Sequence, residues 1–556
     1  MKLRSLGNWA RTSALLLASL GFAASSVGAC APVAREFPNG QGGSGGTGGT
    51  GQVCEPLTTA ACYTGTPGTE DVGVCKQGTH TCLEDGSGYG PCEGEVVPTT
   101  EICTTVEDEG CDGPNPVECP SLGHVWSKSY GGLGEEVITS IAVDPTTGDV
   151  IGTGYFRDVI DFGGGPIAST GGDDIFLFRV SALGEHIWSK RFGDSSYQTA
   201  TDLALDASGA IYIVGEMSGA IDFGDGNPIT SNGGDDAFVA KFDPSGTFMW
   251  ARHFGDQSSQ RGKSIAITPA NQVIVAGNYS GFIQLMGMEL PTAQGTDMFV
   301  LKLDSSGFDV AAKKYGGMGT EELMDIAVDS KGAIFITGAF EDITDFGQLG
   351  AYASAGSSDA FLLKLAPDLN EDWVRTWGDA EFQRGGTVAT SATDDVFVMG
   401  DLVGSMMLSD GTTLMSPSQA RGVFLMSLGP DGSHRWAMNT GNAMSFFARQ
   451  MMTSDPSSQS IVAVGFYDGT LDFGGGPLVA NVVDGFVAKI GWDGKHISST
   501  HLGGPALDAF FGVAVSPMGD VFVSGGHQGP ADFGGGVLDT PAGTDDIQAL
   551  LMRLLP

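Results

Sequence analysis

The residues best able to do chemistry in this chain are Asp, His and Cys, and their spacing decides which chemistry is open to them. Asp-Phe-Gly recurs at Asp161, Asp222, Asp345, Asp472 and Asp532. Where this tripeptide holds magnesium for phosphoryl transfer it occurs once, downstream of a catalytic loop, and this sequence has no such loop. Five copies in register point to a structural role, in which each carboxylate accepts the amides of the glycine turn that follows while Phe packs between neighbouring units. Histidine is dispersed in the same way. His124, His186, His434 and His496 share one position of a repeat, and His253 and His501 share another. His80 lies in a cysteine-rich segment, and His527 replaces an apolar residue equivalent to Phe156, Phe340 or Tyr467. Acid–base catalysis needs unlike groups within hydrogen-bond reach, which histidines spread out by a repeat do not supply. No G-x-S-x-G elbow, H-E-x-x-H helix or P-loop is present.

Acidic pairs at Asp173-Asp174, Asp235-Asp236 and Asp545-Asp546 read as matching loops, each before an apolar strand. Hard oxygen ligands in so acidic a chain make calcium the ion these pairs would hold; capping of turns is the other use of the same carboxylates. No organic cofactor is expected.

What must position these residues is a repeat of 61 to 63 residues. One glycine column runs Gly131, Gly193, Gly255, Gly316, Gly378, Gly441 and Gly503, a second Gly154, Gly215, Gly277, Gly338, Gly400, Gly465 and Gly525. Five residues before the first column stand Trp126, Trp188, Trp250, Trp373 and Trp436, replaced by Ala311 and Ser498 in two copies. Between the columns run Ile141-Ala142-Val143 and its equivalents, a turn, and a strand such as Ile211-Tyr212-Ile213-Val214. A third strand follows in Phe238-Val239-Ala240-Lys241 and its equivalents, and the next Trp lies on a fourth. Short, β-branched, turn-bounded segments at about four per unit predict the blades of an all-β, seven-bladed β-propeller. The array opens on a lone Trp strand from His124 to Gly131 and stops after a third strand at Leu551-Met552-Arg553-Leu554-Leu555. The simplest closure pairs these two ends.

With its tandem Trp, glycine-column and Phe-Val-Ala-Lys segments, the stretch 121–556 resembles the bacterial beta-propeller repeat family. That resemblance implies the fold and is nearly silent about chemistry. Asp243-Pro244-Ser245-Gly246 leading to Trp250 is similar to the tryptophan-docking segment of quinoprotein propellers, which implies a blade lock and no quinone.

Residues 1–29 read as an export segment: Lys2, Arg4 and Arg11 precede an apolar run from Ala14 to Ala24, too short to span a bilayer. It closes on Val27-Gly28-Ala29-Cys30, which resembles a bacterial lipobox and implies a lipid on Cys30. Residues 30–53 carry that anchor and a tether, Gly42 to Gly51, built of Gly, Ser and Thr, with a reach on the order of 25 Å. The other eight cysteines, Cys54, Cys62, Cys75, Cys82, Cys92, Cys103, Cys111 and Cys119, are dense and even in number. In an exported segment, 54–120, this predicts a disulfide module of undetermined connectivity. Cys62 to Gly113 resembles a small cysteine-rich module of bacterial surface lipoproteins.

The net charge is -39, which repels nucleic acid and anionic lipid and leaves the N-terminal lipid as the membrane contact. Blades five and six break the pattern. Asp-Phe-Gly becomes Met407-Leu408-Ser409, the third strand becomes Gly422-Val423-Phe424-Leu425-Met426-Ser427, and nine of the 19 methionines fall between Met399 and Met452. Methionine fills irregular gaps and also lines adaptable binding surfaces. The expectation is a non-enzymatic scaffold, lipid-anchored at the cell envelope, on the outer membrane or cell surface, that binds an extracellular protein or glycan. A propeller enzyme (hydrolase, lyase or quinoprotein) acting at a channel mouth and a purely structural surface-layer component are the alternatives.

Overall fold

The computed structural model describes residues 53–66, 69–98, 123–286, 288–416, 421–443, 452–540 and 546–555. Cys30 with the export segment, Cys103, Cys111, Cys119 and Asp545 lie outside the described residues. The chain divides into two compact units, Met1–Cys119 and Pro120–Pro556.

In the first unit Thr59–Cys62 pairs antiparallel with Gly78–Thr81. Among its described residues only Cys75 and Cys82 are buried hydrophobic groups, so there is no apolar core to hold it. Covalent links do so instead. Cys54 is bonded to Cys82, Cys62 to Cys92, and Cys75 is also in a disulfide.

The second unit is a seven-bladed β-propeller of four-stranded antiparallel sheets. Blade 1 runs outward as Glu136–Val143, Val150–Phe156, Asp174–Val180 and His186–Phe192. The second and third strands, such as Val150–Phe156 and Asp174–Val180, are buried along their whole length because a blade covers each face. This is why they read as continuous apolar runs rather than alternating ones. Blade 7 takes Asp508–Val515, Val521–His527 and Gln548–Leu554 from one end of the array and His124–Tyr130 from the other, with His124 opposite Leu554 and Tyr130 opposite Ala549. The ring is closed by the N-terminal Trp strand.

Both glycine columns have a steric cause. Among the described residues the inner strands of six blades carry a β-bulge, in blade 2 between Ala200 and Asp202, and the second-column glycine crosses it. A Cβ at Gly215 would lie 2.0 Å from the Thr199 carbonyl oxygen, and at Gly277 1.9 Å from that of Arg261. The first column sits where the third strand of one blade meets the inner strand of the next. A Cβ at Gly193 would lie 2.6 Å from both Asp174 Oδ1 and Gln198 Oε1.

Between second and third strands each blade adds a two-stranded hairpin, in blade 1 Val159–Ile160 with Ile167–Ala168, and in five blades Asp-Phe-Gly stands at the end of its first strand. Asp161 Oδ1 accepts the amides of Gly163 (2.7 Å) and Gly165 (3.0 Å), and Asp222, Asp472 and Asp532 repeat the pattern. Phe162 and Phe223 are buried against Tyr130 and Phe192 of the preceding blades, at ring separations of 4.9 and 5.2 Å. Tryptophan locks the outer edge: Trp250 Nε1 donates to the Ser305 carbonyl of the next blade (3.2 Å), which also accepts from Lys241 Nζ (3.1 Å). Trp373 with Lys364 on Pro430, and Trp126 with Arg553 on Ala182, make the same two-donor clasp.

Candidate functional site: one mouth of the central channel

Successive inner strands are stitched together around the axis. Ser140 Oγ donates to Asp202 Oδ1 (2.9 Å), Ser264 Oγ stands 3.0 Å from both Asp202 Oδ2 and Asp325 Oδ1, and Thr387 Oγ1 donates to Asp325 Oδ2 (2.8 Å). The amides of Ile326 and Val388 add two more donors to Asp325. Burial nevertheless pushes Asp325 up to about 7, with the nearby Asp202 charge acting in the same sense. The geometry explains how that proton is used: Ser264 has one hydroxyl proton for two carboxylates, and a protonated Asp325 can donate to Ser264 while Ser264 donates to Asp202. Gly512 ends the arc in blade 7.

One mouth lies where inner strands begin, second strands end and third strands begin. Here the residue after each second-column glycine differs in all seven blades: Tyr155, Glu216, Asn278, Ala339, Asp401, Phe466 and Gly526. The surrounding contacts differ with it. In blade 1 Arg157 pairs with Asp173, and the Tyr155 hydroxyl lies 3.4 Å from Glu135. Burial and the Asp173 charge push Glu135 up. In blade 2 the Tyr197 hydroxyl lies 3.4 Å from Glu216. Arg261 of blade 3 reaches back to Glu216 (2.9 Å) and Asp235 (3.5 Å). In blade 5 Arg384 pairs with Asp401 at 2.6 Å. Phe466 and Phe511, 5.9 Å apart, make the sector in blades 6 and 7 apolar. Of the seven column residues only Glu216 is half-exposed and the others are buried, so what changes around this mouth is the packing beneath it: ion pairs in blades 1, 2 and 5, an aromatic pair between blades 6 and 7.

The junction beneath this mouth has two alternative builds. Where Asp follows the first-column glycine, as Asp194, Asp256 and Asp379, the inner strand opens on Gln198, Gln260 or Gln383, whose amide donates to that Asp at 2.7 to 2.8 Å. Burial opposes the charge on Asp194, but the amides of Ser196 and Ala220 and the side chain of Gln198 outweigh it and hold the carboxyl low. Where a second glycine follows, as Gly132, Gly317 and Gly504, the inner strand opens on an acid: Glu136, Glu321 or Asp508. Burial pushes these three up to about 8, 7 and 7.

The acidic pairs read as calcium ligands are engaged separately, each on its own blade. Asp173 pairs with Arg157, Asp174 with Arg191, Asp235 with Arg261 and Asp236 with His253. Among the described residues no group of three or more His, Cys, Asp or Glu side chains is placed to hold a metal. Asp545-Asp546 is not in register with the other two pairs: Ile547 and Gln548 occupy the equivalent positions, and Asp546 precedes them. The loop before this strand differs in length from the other two, so residue type alone does not fix its register. The histidines at 186, 496 and 124 pack on the glycine turns, where a Cβ at Gly164, Gly475 or Gly535 would lie 2.1 to 2.2 Å from the ring.

His527 is fully buried; Nε2 lies 2.7 Å from Ser129 Oγ and Nδ1 3.1 Å from the Gly529 carbonyl, so Nδ1 holds the proton and Nε2 accepts from the hydroxyl. Burial holds its pKa low. This pair spans the second and outer strands of blade 7, in the columns where blade 1 has Phe156 and Arg191. Of the methionines in blades five and six, Met399, Met406, Met426 and Met452 are buried and fill core space, whereas Met407 and Met415 are exposed on the blade 5 hairpin. At the opposite mouth the turns after the inner strands, with Asp206, Thr268, Asp329 and Ser391, surround a depression of about 590 Å³. Asp206 and Asp329 there are spent on their own turns.

No protein-family model matches the chain. The regulatory protein FlaEY of Caulobacter vibrioides is 29% identical over 204 residues, which cover 35% of this chain and 20% of FlaEY. The chain thus spans about one-fifth of that relative. Among solved structures, the WD40 domain of Neurospora crassa Pan2 aligns with 77% of this chain and 97% of its own at TM-score 0.38 and 11% identity. A europium-containing methanol dehydrogenase aligns with 78% and 93% at TM-score 0.38 and 11% identity.

Proposed function

We propose that the chain is an exported, lipid-anchored propeller that binds an extracellular protein or glycan at the mouth described above, without turning it over. The observation that carries this reading is the column after the second glycine, which holds seven different residues around one mouth of an otherwise repetitive ring. Its charged members are already paired with neighbours, an arrangement suited to contact rather than to proton transfer. Val27-Gly28-Ala29-Cys30 and the odd cysteine count support the anchor. The test compares wild type, a Tyr197→Ala/Arg261→Ala variant at this mouth, and a Met518→Arg variant on the opposite face against one panel of extracellular glycans and envelope proteins. We expect a ligand whose Kd rises at least tenfold in the first variant and is unchanged in the second; loss only in the second overturns the assignment of the face. A hydrolase is the second reading, favoured by the Ser129–His527 contact. Labelling of Ser129 by a fluorophosphonate, abolished in His527→Phe, would establish it over binding alone.

A further inference from the structure

The loop leading into the third strand reads Asp173-Asp174 in blade 1 and Asp235-Asp236 in blade 2, but Arg421-Gly422 in blade 5. Two negative charges have become one positive. The ion pairing at the mouth changes accordingly. In blade 1 a single guanidinium, Arg157, stands beside Asp173 and Glu135, and Arg261 stands between Glu216 and Asp235. In blade 5 two guanidinia, Arg384 and Arg421, share the fully buried Asp401 carboxylate. Arg384 holds it at 2.6 Å and has Glu322, 42% exposed, at 3.6 Å. Arg421 is 3.9 Å from Asp401, makes no hydrogen bond among the described residues, and keeps 26% of its side chain exposed. Its guanidinium lies over the Phe382 ring, 4.9 Å from the centre.

We propose that Arg421 anchors the carboxylate of an acidic peptide segment on a partner protein, docked on blade 5. The proposal rests on this mouth being a binding face. A guanidinium over an aromatic ring, partly exposed and without a hydrogen bond among the described residues, has donors left for two parallel bonds to one carboxylate. The adjoining surface favours a protein as the source of that carboxylate. Met407 and Met415, 72% and 66% exposed, project from the neighbouring hairpin. Asn439 joins the two regions, donating to the Met415 carbonyl while its Oδ1 lies 3.2 Å from where a Cβ at Gly422 would stand. Adaptable thioethers beside one cation suit an acidic residue flanked by apolar ones.

The test uses the mature protein and three fluorescent nonapeptides that share a Leu-rich frame and differ only in a central Glu, Gln or Lys. Wild type should bind the Glu peptide with a Kd at least tenfold below that of the Gln peptide, and the Lys peptide least of all. Arg421→Gln should bring the Glu and Gln peptides together, and Arg421→Lys should leave an intermediate ratio, since a point charge lacks the fork. Met407→Ser with Met415→Ser should weaken all three peptides and preserve their order. Equal binding of Glu and Gln peptides by wild type, a ratio that survives Arg421→Gln, or Arg421-dependent capture of an oligouronate in place of the peptides would each overturn the proposal. If the Tyr197→Ala/Arg261→Ala variant loses its ligand while Arg421→Gln keeps it, the binding face stands and the role of Arg421 falls.

Discussion

Gln198, Gln260 and Gln383 show what an inner strand places against a neighbouring carboxylate; Glu136, Glu321 and Asp508 show what it places where that carboxylate is missing. The acids are fully buried; one oxygen of each accepts a bond, from Gly132, Thr344 or Gly504, and Glu136 Oε1, Glu321 Oε2 and Asp508 Oδ1 have no hydrogen-bond partner among the described residues. Burial raises them to about 8, 7 and 7, against about 4 for such groups in an unfolded chain. The folded state therefore binds more protons than the unfolded state between those limits, so stability is complete at low pH and is lost as pH rises through 7 to 8. We expect denaturant unfolding to report a decline from pH 5 to pH 8 on the order of 2 kcal/mol per group. Glu136→Gln/Glu321→Gln/Asp508→Asn should reduce it to the share that Asp325 contributes, and an unchanged slope in this variant would show that the three acids are not its source. None of this was legible from residue types alone, because an acid beside a glycine turn reads as a cap until the register shows it to be buried with only one of its two oxygens bonded.

At the scale of the strand, the two glycine columns were readable and their reason was not. Spacing alone marked Gly154 through Gly525, but the bulge they cross leaves no residue signature: the extra residue is Thr139, Thr201, Lys263 or Met324 in successive blades. The added hairpins gave no signal for a related reason, since strands of two or three residues such as Ala220–Ile221 are too short to show a period. The variable column at the mouth lies one residue past each glycine, yet it lacks any motif; only its position in the ring makes its variation meaningful. Replacing Gly by Ala in a strand is ordinarily neutral or better. Gly277→Ala should instead destabilise by about 3 kcal/mol, because its Cβ would lie 1.9 Å from the Arg261 carbonyl oxygen and the bulge cannot retreat without breaking the inner strand. A melting temperature at or above that of wild type would show that the crossing is soft.

At the scale of the molecule, the ring and its permuted closure followed from counting Trp strands at one end and third strands at the other, and the antiparallel pairing of His124–Tyr130 with Gln548–Leu554 matches that count. Disulfide connectivity did not follow, since cysteine spacing carries no pairing rule. Removing residues 121–132 should lower stability by several kcal/mol, as it opens the Gln548–Leu554 edge and removes the Trp126 and Lys128 bonds to blade 1. Coincident melting curves for the truncated and full proteins would rule the closing strand out as a stabiliser. The same pairing also sets a schedule. His124 meets Leu554 across 430 positions of chain, so a polypeptide that emerges residue by residue has made six blades before the partner of its first strand exists. Until then both edges of an open crescent remain available to other chains, and whatever escorts the nascent protein must guard them to the end of synthesis.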